Sequence, residues 1–150
     1  MKDVQISQTF RILVVDDNEA DVYLLRQALK KAGVNCELTI IEDGSEGLAF
    51  SSGQGKYSGG PIHDLAVIDL NLPMHGGDDI LKRMRENQHL EHVPVVIWTS
   101  SATSLERAKV EAMGITRFMT KPMDLEDFMR IGEAVKEVLL EIPRVESITL

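Results

Sequence analysis

"DLAVIDLNLP", residues 64–73, is an apolar run that closes on an acid. Its core, Leu65 to Ile68, has the length and composition of a strand buried on both faces, and Asp69 stands where that strand ends. An ionised carboxylate on apolar ground is costly unless it is paired, exposed at a strand tip or used. Two more acids, Asp16 and Asp17, follow a second run of the same kind, "RILVV" at 11–15. The fold and the chemistry both turn on whether these strand ends meet.

Five β-rich segments recur along the chain: "RILVV" (11–15), "CELTII" (36–41), "DLAVI" (64–68), "VPVVIW" (93–98) and "ITRFM" (115–119). Helical periodicity fills the intervals. Asn18 is suited to cap a first helix with Val22, Leu25, Leu29 and Ala32 on one face and Gly33 as its stop. A short second helix opens near Ser45 and carries Leu48 and Phe50. Ile80, Leu81 and Met84 mark a third. Leu105, Ala108 and Ala112 mark a fourth, ended at Gly114. Asp124 and Asp127 form a capping pair for a fifth, with a buried stripe of Phe128, Ile131, Val135 and Val138. Strands alternating with helices imply right-handed crossovers and a parallel sheet covered on both faces. The prediction is an α/β fold: a doubly wound, five-stranded parallel sheet with five helices. It occupies one domain over residues 1–150, with a core of about 10–140 and a tail at 143–150. The Gly- and Ser-rich patch "SSGQGKYSGGP" (51–61) reads as a loop.

The bulk numbers narrow the function. With 150 residues there is enough chain for one real core. A net charge of −8 speaks against a nucleic-acid surface, which needs clustered Lys and Arg. The single cysteine, Cys36, excludes an internal disulfide and suits a reducing cytoplasm. No apolar run reaches membrane-span length, and "MKDVQISQTF" has no signal-peptide core. A soluble cytoplasmic protein is expected.

In an open parallel sheet, ligands bind at the carboxyl ends of the strands, where strand order reverses. With the common order 2-1-3-4-5, the first and third strands are neighbours, and Asp16, Asp17 and Asp69 converge. Thr99 ends the fourth strand, and Lys121 with Pro122 follows the fifth. Unit charges about 4 Å apart repel by roughly 4 kcal/mol at an effective dielectric near 20. Three such pairs cost on the order of 12 kcal/mol, as much as a whole domain's stability of about 5–15 kcal/mol. Lys121 alone does not offset three acids, whereas a divalent cation does. The candidate ligands are oxygens, which favours Mg²⁺ or Mn²⁺ over zinc. A metal, a lysine and a hydroxyl around one carboxylate would stabilise a phosphoryl group passing onto it.

"LVVDD", the Asp69 and Pro73 of "DLNLP", Thr99, and "KP" at 121–122, in that order and spacing, resemble the receiver domain of bacterial two-component response regulators. The likeness spans about residues 10–140 and implies the flavodoxin-like receiver fold. It further implies that Asp69 is the phosphoacceptor and Asp17 a direct metal ligand. Asp16 would act through water, and the backbone carbonyl of Asn71 would complete the protein's share of the metal. Lys121 would contact a phosphoryl oxygen, Thr99 would donate its hydroxyl to it, and Phe118 would be the aromatic that turns inward when Thr99 moves. A sensor histidine kinase is the implied partner. The opening, the "NEADVYLL" helix start, the Gly-rich loop and the lack of an output domain resemble phytochrome-linked single-domain regulators most. That points to a phytochrome-type kinase, with output through a homodimer made by the fourth helix, fifth strand and fifth helix, or through onward phosphotransfer. Two departures stand out: "MHGG" after Pro73 supplies His75 where an acid is common, and the bulky Trp98 immediately precedes Thr99.

Competing readings are weaker. A metal-dependent phosphohydrolase needs a second acid and a substrate cap, and neither is visible. A flavin binder is disfavoured because the acids of "DDNEAD" would repel a cofactor phosphate. A degenerate scaffold would not need the intact Asp, Thr and Lys set. Ser100, Ser101 and Thr103 are equally suited to capping the fourth helix. His89 and His92 have metal-like spacing but no further ligands. Met113, Met119, Met123 and Met129 read first as core filling.

Overall fold

The computed structural model describes residues 8–53 and 63–142. Five strands, β1 (Phe10–Val15), β2 (Cys36–Ile41), β3 (Leu65–Asp69), β4 (Val95–Thr99) and β5 (Arg117–Thr120), form one parallel sheet in the order β2-β1-β3-β4-β5. Between and after them lie α1 (Glu19–Lys31), α2 (Gly44–Ser51), α3 (Gly77–Glu86), α4 (Ser104–Ala112), α5 (Leu125–Met129) and α6 (Ile131–Glu141). Order reverses between β1 and β3, as read from the sequence. The predicted fifth helix is laid down as α5 and α6, which meet at Arg130. That residue keeps right-handed dihedrals (φ −68°, ψ −17°).

Alternation along the strands divides the core into two layers. Ile12, Val14, Leu65, Val67, Val96 and Trp98 face α1, α5 and α6, where Leu25, Phe128, Ile131 and Val135 meet them. Leu13, Val15, Ala66, Ile68, Val95 and Ile97 face the opposite side, against Phe50, Ile80, Leu81, Met84 and Val110. β3 and β4 are buried at every position, which explains their unbroken apolar runs. Caps fix where the helices start. Asn18 accepts from Asp21 N (3.1 Å), and Thr103 with Glu106 forms a reciprocal capping box on α4. Gly33 and Gly114 follow α1 and α4 at φ +79° and +86°, as a helix stop requires.

Several boundaries differ from the sequence reading. β3 starts at Leu65 and takes in Asp69, β4 spans Val95–Thr99 rather than 93–98, and β5 spans Arg117–Thr120 rather than 115–119. α2 is capped by Asp43, whose side chain accepts from Glu46 N at 2.7 Å, so it opens ahead of Ser45. The stripe assigned to α4 is a correction: Leu105, Ala108 and Ala112 are exposed, and Val110 is the buried residue. The exposed Arg107, three residues before Val110, lays its guanidinium 4.7 Å from the centroid of the half-buried Phe118 ring. Most of the 51–61 patch and the 143–150 tail lie outside the described residues.

α1 and α6 cross closely because Gly132 has no side chain. A Cβ there would collide with the Ala28 carbonyl of α1. Gly132→Val is therefore expected to lower stability by about 2–3 kcal/mol, the usual range for overpacking a filled site. Urea unfolding with an unchanged m-value checks it.

Candidate functional site

The register of β1 against β3 pairs Val15 with Ile68. The next residues along the two strands, Asp16 and Asp69, thus leave the sheet side by side. Asp16 is tied down by its own backbone: its N–H donates to the Ile41 carbonyl (2.9 Å), and its Oδ1 accepts from Asn18 N (2.8 Å). Asp69 Oδ1 accepts from Asn71 N at 3.0 Å. Lys121 follows β5, where its N–H donates to the Thr99 carbonyl (2.7 Å), and this returns its side chain across the sheet end. Its ammonium donates to Asp16 Oδ2 (2.8 Å), Asp21 Oδ2 (2.8 Å) and Asp69 Oδ2 (3.0 Å). Asp16, Asp69 and Lys121 are buried, at 1%, 5% and 8% exposure, while Asp17 is exposed.

Asp21 was missed in the sequence. One signal for it existed: it stands one turn before Leu25, at the leading end of a buried helical stripe, where an acid needs a partner. The cluster thus holds four acids and one lysine, a formal charge of −3 when all are ionised. Burial pushes the Asp16 carboxyl up to about 6, against the hydrogen bonds from Lys121 and Asn18. For Lys121 burial also opposes the charged form, but bonds to Asp16 and Asp21 outweigh it and hold the ammonium above its usual range. The two partners differ because one ammonium is shared among three carboxylates. Lys121 is fully compensated, and Asp16 receives only a share.

Carboxylate oxygens of Asp16, Asp17 and Asp69 all lie within 4.8 Å of one another. Ligands about 2.1 Å from an octahedral cation stand roughly 3 Å apart when adjacent and about 4 Å when opposite. Three hard oxygens at this spacing fit a Mg²⁺- or Mn²⁺-sized ion with small side-chain adjustments. The cluster opens into a cleft of about 630 Å³, bordered also by Asn18, Asn71 and Ser100, with room for a phosphoryl group.

Thr99 ends β4, fully buried, but its hydroxyl is engaged elsewhere. It donates to the Ser101 carbonyl (2.9 Å) and accepts from Asn71 Nδ2 (2.7 Å), which also donates to the Ser101 carbonyl (2.8 Å). The amide of Asn71, unremarked in the sequence, therefore ties the loop after β3 to the loop after β4. Phe118 is half-buried beneath Arg107, on the face of the sheet opposite Trp98. Thr103 takes the cap of α4, whereas Ser100 borders the cleft. His89 and His92 are exposed on a loop and join no metal-binding group among the described residues.

A family profile described as Response regulator receiver domain matches residues 12–132. The chain belongs to that family. It is 32% identical over 130 residues to the response regulator Rcp1 of Synechocystis sp., covering 87% of this chain and 88% of Rcp1. The Mn²⁺-bound form of Rcp1 superposes with a TM-score of 0.80 at 30% identity, covering 92% of this chain and 99% of that one. The phosphorylated cyanobacterial phytochrome response regulator RcpA superposes with a TM-score of 0.82 at 27% identity, covering 93% and 100%. The receiver fold read from the sequence is thereby established, and a divalent metal at an acidic cluster is what this family binds. No helix among the described residues is long and apolar enough to cross a membrane.

The raised carboxyl of Asp16 has a thermodynamic consequence in the metal-free receiver. Its native pKa, about 6, lies above the ordinary 3.8, so the native state binds a proton that the unfolded chain releases. The stability this proton confers is fully present below about pH 4 and is lost as pH rises through 6. Asp16→Asn should remove that dependence. Relative to wild type, the variant is expected to gain about 2–3 kcal/mol between pH 4 and pH 7.5. Urea titrations with a chelator present, at those two pH values, provide the check.

Proposed function

We propose that this receiver is the phosphorylation-controlled element of a two-component pathway, with Asp69 as its acceptor. The observation that carries the proposal is the position of Asp69. It is a buried carboxylate whose Oδ2 bonds the Lys121 ammonium and which lies with the carboxylates of Asp16 and Asp17, within 4.8 Å, at the mouth of a cleft. A sensor histidine kinase is the donor. Asp69 attacks the phosphorus of a phosphohistidine, the P–N bond breaks, and the phosphoryl group becomes an acyl phosphate. Asp16, Asp17, Asp69 and the backbone carbonyl of Asn71 would hold Mg²⁺, with Mn²⁺ as substitute. When bound, the ion offsets the excess negative charge of the cluster and of the incoming phosphoryl oxygens. Lys121 keeps its ammonium beside the acceptor, where it meets a phosphoryl oxygen. Thr99 releases the Ser101 carbonyl and donates its hydroxyl to another. A water later attacks the acyl phosphate, so the protein modifies itself and is not an enzyme acting on other substrates.

Likeness to Rcp1 and RcpA supports a phytochrome-type photoreceptor kinase as partner. The net charge of −8 and the single cysteine support a cytoplasmic protein that does not bind nucleic acid. Output is carried by the face of α4, β5 and α5 as a homodimer contact. Leu105, Met123 and Leu125 expose apolar side chains there, at 79%, 105% and 60%. Phe118 is the relay, exchanging its place under Arg107 for an inward one when Thr99 moves.

Two measurements test this reading. With Mg²⁺ and a small acyl-phosphate donor, wild type should gain one labile phosphoryl group by intact-mass spectrometry and Asp69→Asn none. Equal labelling of both would place the acceptor elsewhere. Light scattering with a beryllofluoride mimic should show self-association tightened about 5–150-fold, the usual span of a coupling between two sites. The same response in Phe118→Ala would remove Phe118 from the relay, and its absence in wild type would exclude the dimer.

A further inference from the structure

Trp98, the only tryptophan of the chain, is placed where an ordinary core side chain would not need to be aromatic. It is fully buried on β4, is the register partner of Asp69 on β3, and faces Met119 on β5. The Lys121 ammonium lies 4.7 Å from the centroid of its ring, and Phe128 of α5 meets it edge-on at 6.0 Å. Its indole Nε1 is buried without a hydrogen-bond partner. Leaving that N–H unsatisfied carries a cost that a phenylalanine or a leucine would avoid. The ring therefore earns its place through its face rather than through its polar edge.

The face is directed at the one group whose position matters most. All three N–H bonds of Lys121 go to carboxylates of Asp16, Asp21 and Asp69. Two of these partners change when the site works: a cation competes for Asp16 and Asp69, and Asp69 loses its charge on becoming an acyl phosphate. Asp21 on α1 keeps its charge and shares the ammonium with the acceptor. The indole, like Asp21, does not change with any of these events, and its π-face attracts the ammonium from within the apolar layer.

We propose that Trp98 is a positioning residue for phosphoryl transfer: its indole face holds the Lys121 ammonium above Asp69 while the carboxylate partners of that ammonium are redistributed. The proposal rests on Asp69 being the acceptor. Trp98 touches neither donor nor phosphoryl group, and acts through Lys121.

The test compares Trp98→Phe, which keeps a ring, with Trp98→Leu, which does not. Labelling by a small acyl phosphate is followed at saturating Mg²⁺, well below each variant's melting temperature. Trp98→Leu is expected to lose about tenfold in maximal labelling rate, within the range of a desolvated cation–π contact, with its Mg²⁺ dissociation constant unchanged. Trp98→Phe should stay within about threefold of wild type. On a Lys121→Met background, Trp98→Leu should have less than about a twofold effect, because the ring then has no ammonium to hold. A wild-type rate in Trp98→Leu, equal losses in the Phe and Leu variants, or an undiminished loss on the Lys121→Met background would each overturn the role. Those failures are separate from failure of the acceptor assignment, which shows as normal labelling of Asp69→Asn.

Discussion

One buried ammonium organises the functional end of this receiver. Through its side chain Lys121 joins the ends of β1 and β3 and the first turn of α1; through its backbone N–H it joins the end of β4. Four elements that are distant in sequence thus converge on one residue. Such a cluster is a poor source of stability, since withdrawing several charges from water costs about as much as their attraction returns. Stability comes from the two apolar layers on either side of the sheet, whose strands β3 and β4 are sealed at every position. The layers hold the acids in place, and the acids remain in excess of the single lysine. That imbalance makes the site receptive to a cation.

Much of this was legible in the sequence because it rests on strong local signals. Apolar runs that stop at an acid located the ends of β1 and β3, and Asn18, Gly33 and Gly114 bounded helices as their chemistry demands. Convergence of Asp16, Asp17 and Asp69 then followed from strand order alone. What failed was the reading that equated apolar spacing with burial on α4. Leu105, Ala108 and Ala112 had suitable spacing, yet the buried residue is Val110, and the exposed Arg107 stacks on Phe118. A long side chain with a planar cation covers an aromatic ring from the solvent side, a contact that a hydropathy pattern does not register. The exposed Leu105 belongs instead to the surface proposed for self-association.

The site was read less completely than the fold because its remaining members act through side-chain geometry. Asp21 shows only a weak positional signal, since an acid in the first turn of a helix is common for reasons of the macrodipole alone. Nothing in "DLNLP" foretold that the Asn71 amide would reach Thr99 and Ser101. Trp98 stood out only for its bulk. Its relation to Lys121 depends on the ring and the ammonium being brought to the same face by β4 and the loop after β5, which spacing along the chain does not encode.

The Asn71 bridge bears on how events on one side of the site reach the other. In the proposed reading, the backbone of Asn71 faces the cation while its side chain holds the Thr99 hydroxyl. In that reading, binding at the first would be linked to release at the second. Thr99 has one hydroxyl hydrogen, which it donates to the Ser101 carbonyl at 2.9 Å. A phosphoryl oxygen must win that hydrogen by offering a charge-assisted bond, roughly twice as strong as the neutral one it replaces. A gain of that size would bias the receiver between two arrangements rather than lock it into either. Under the proposed reading, that bias is how a single phosphoryl group on Asp69 would shift the population of a whole surface.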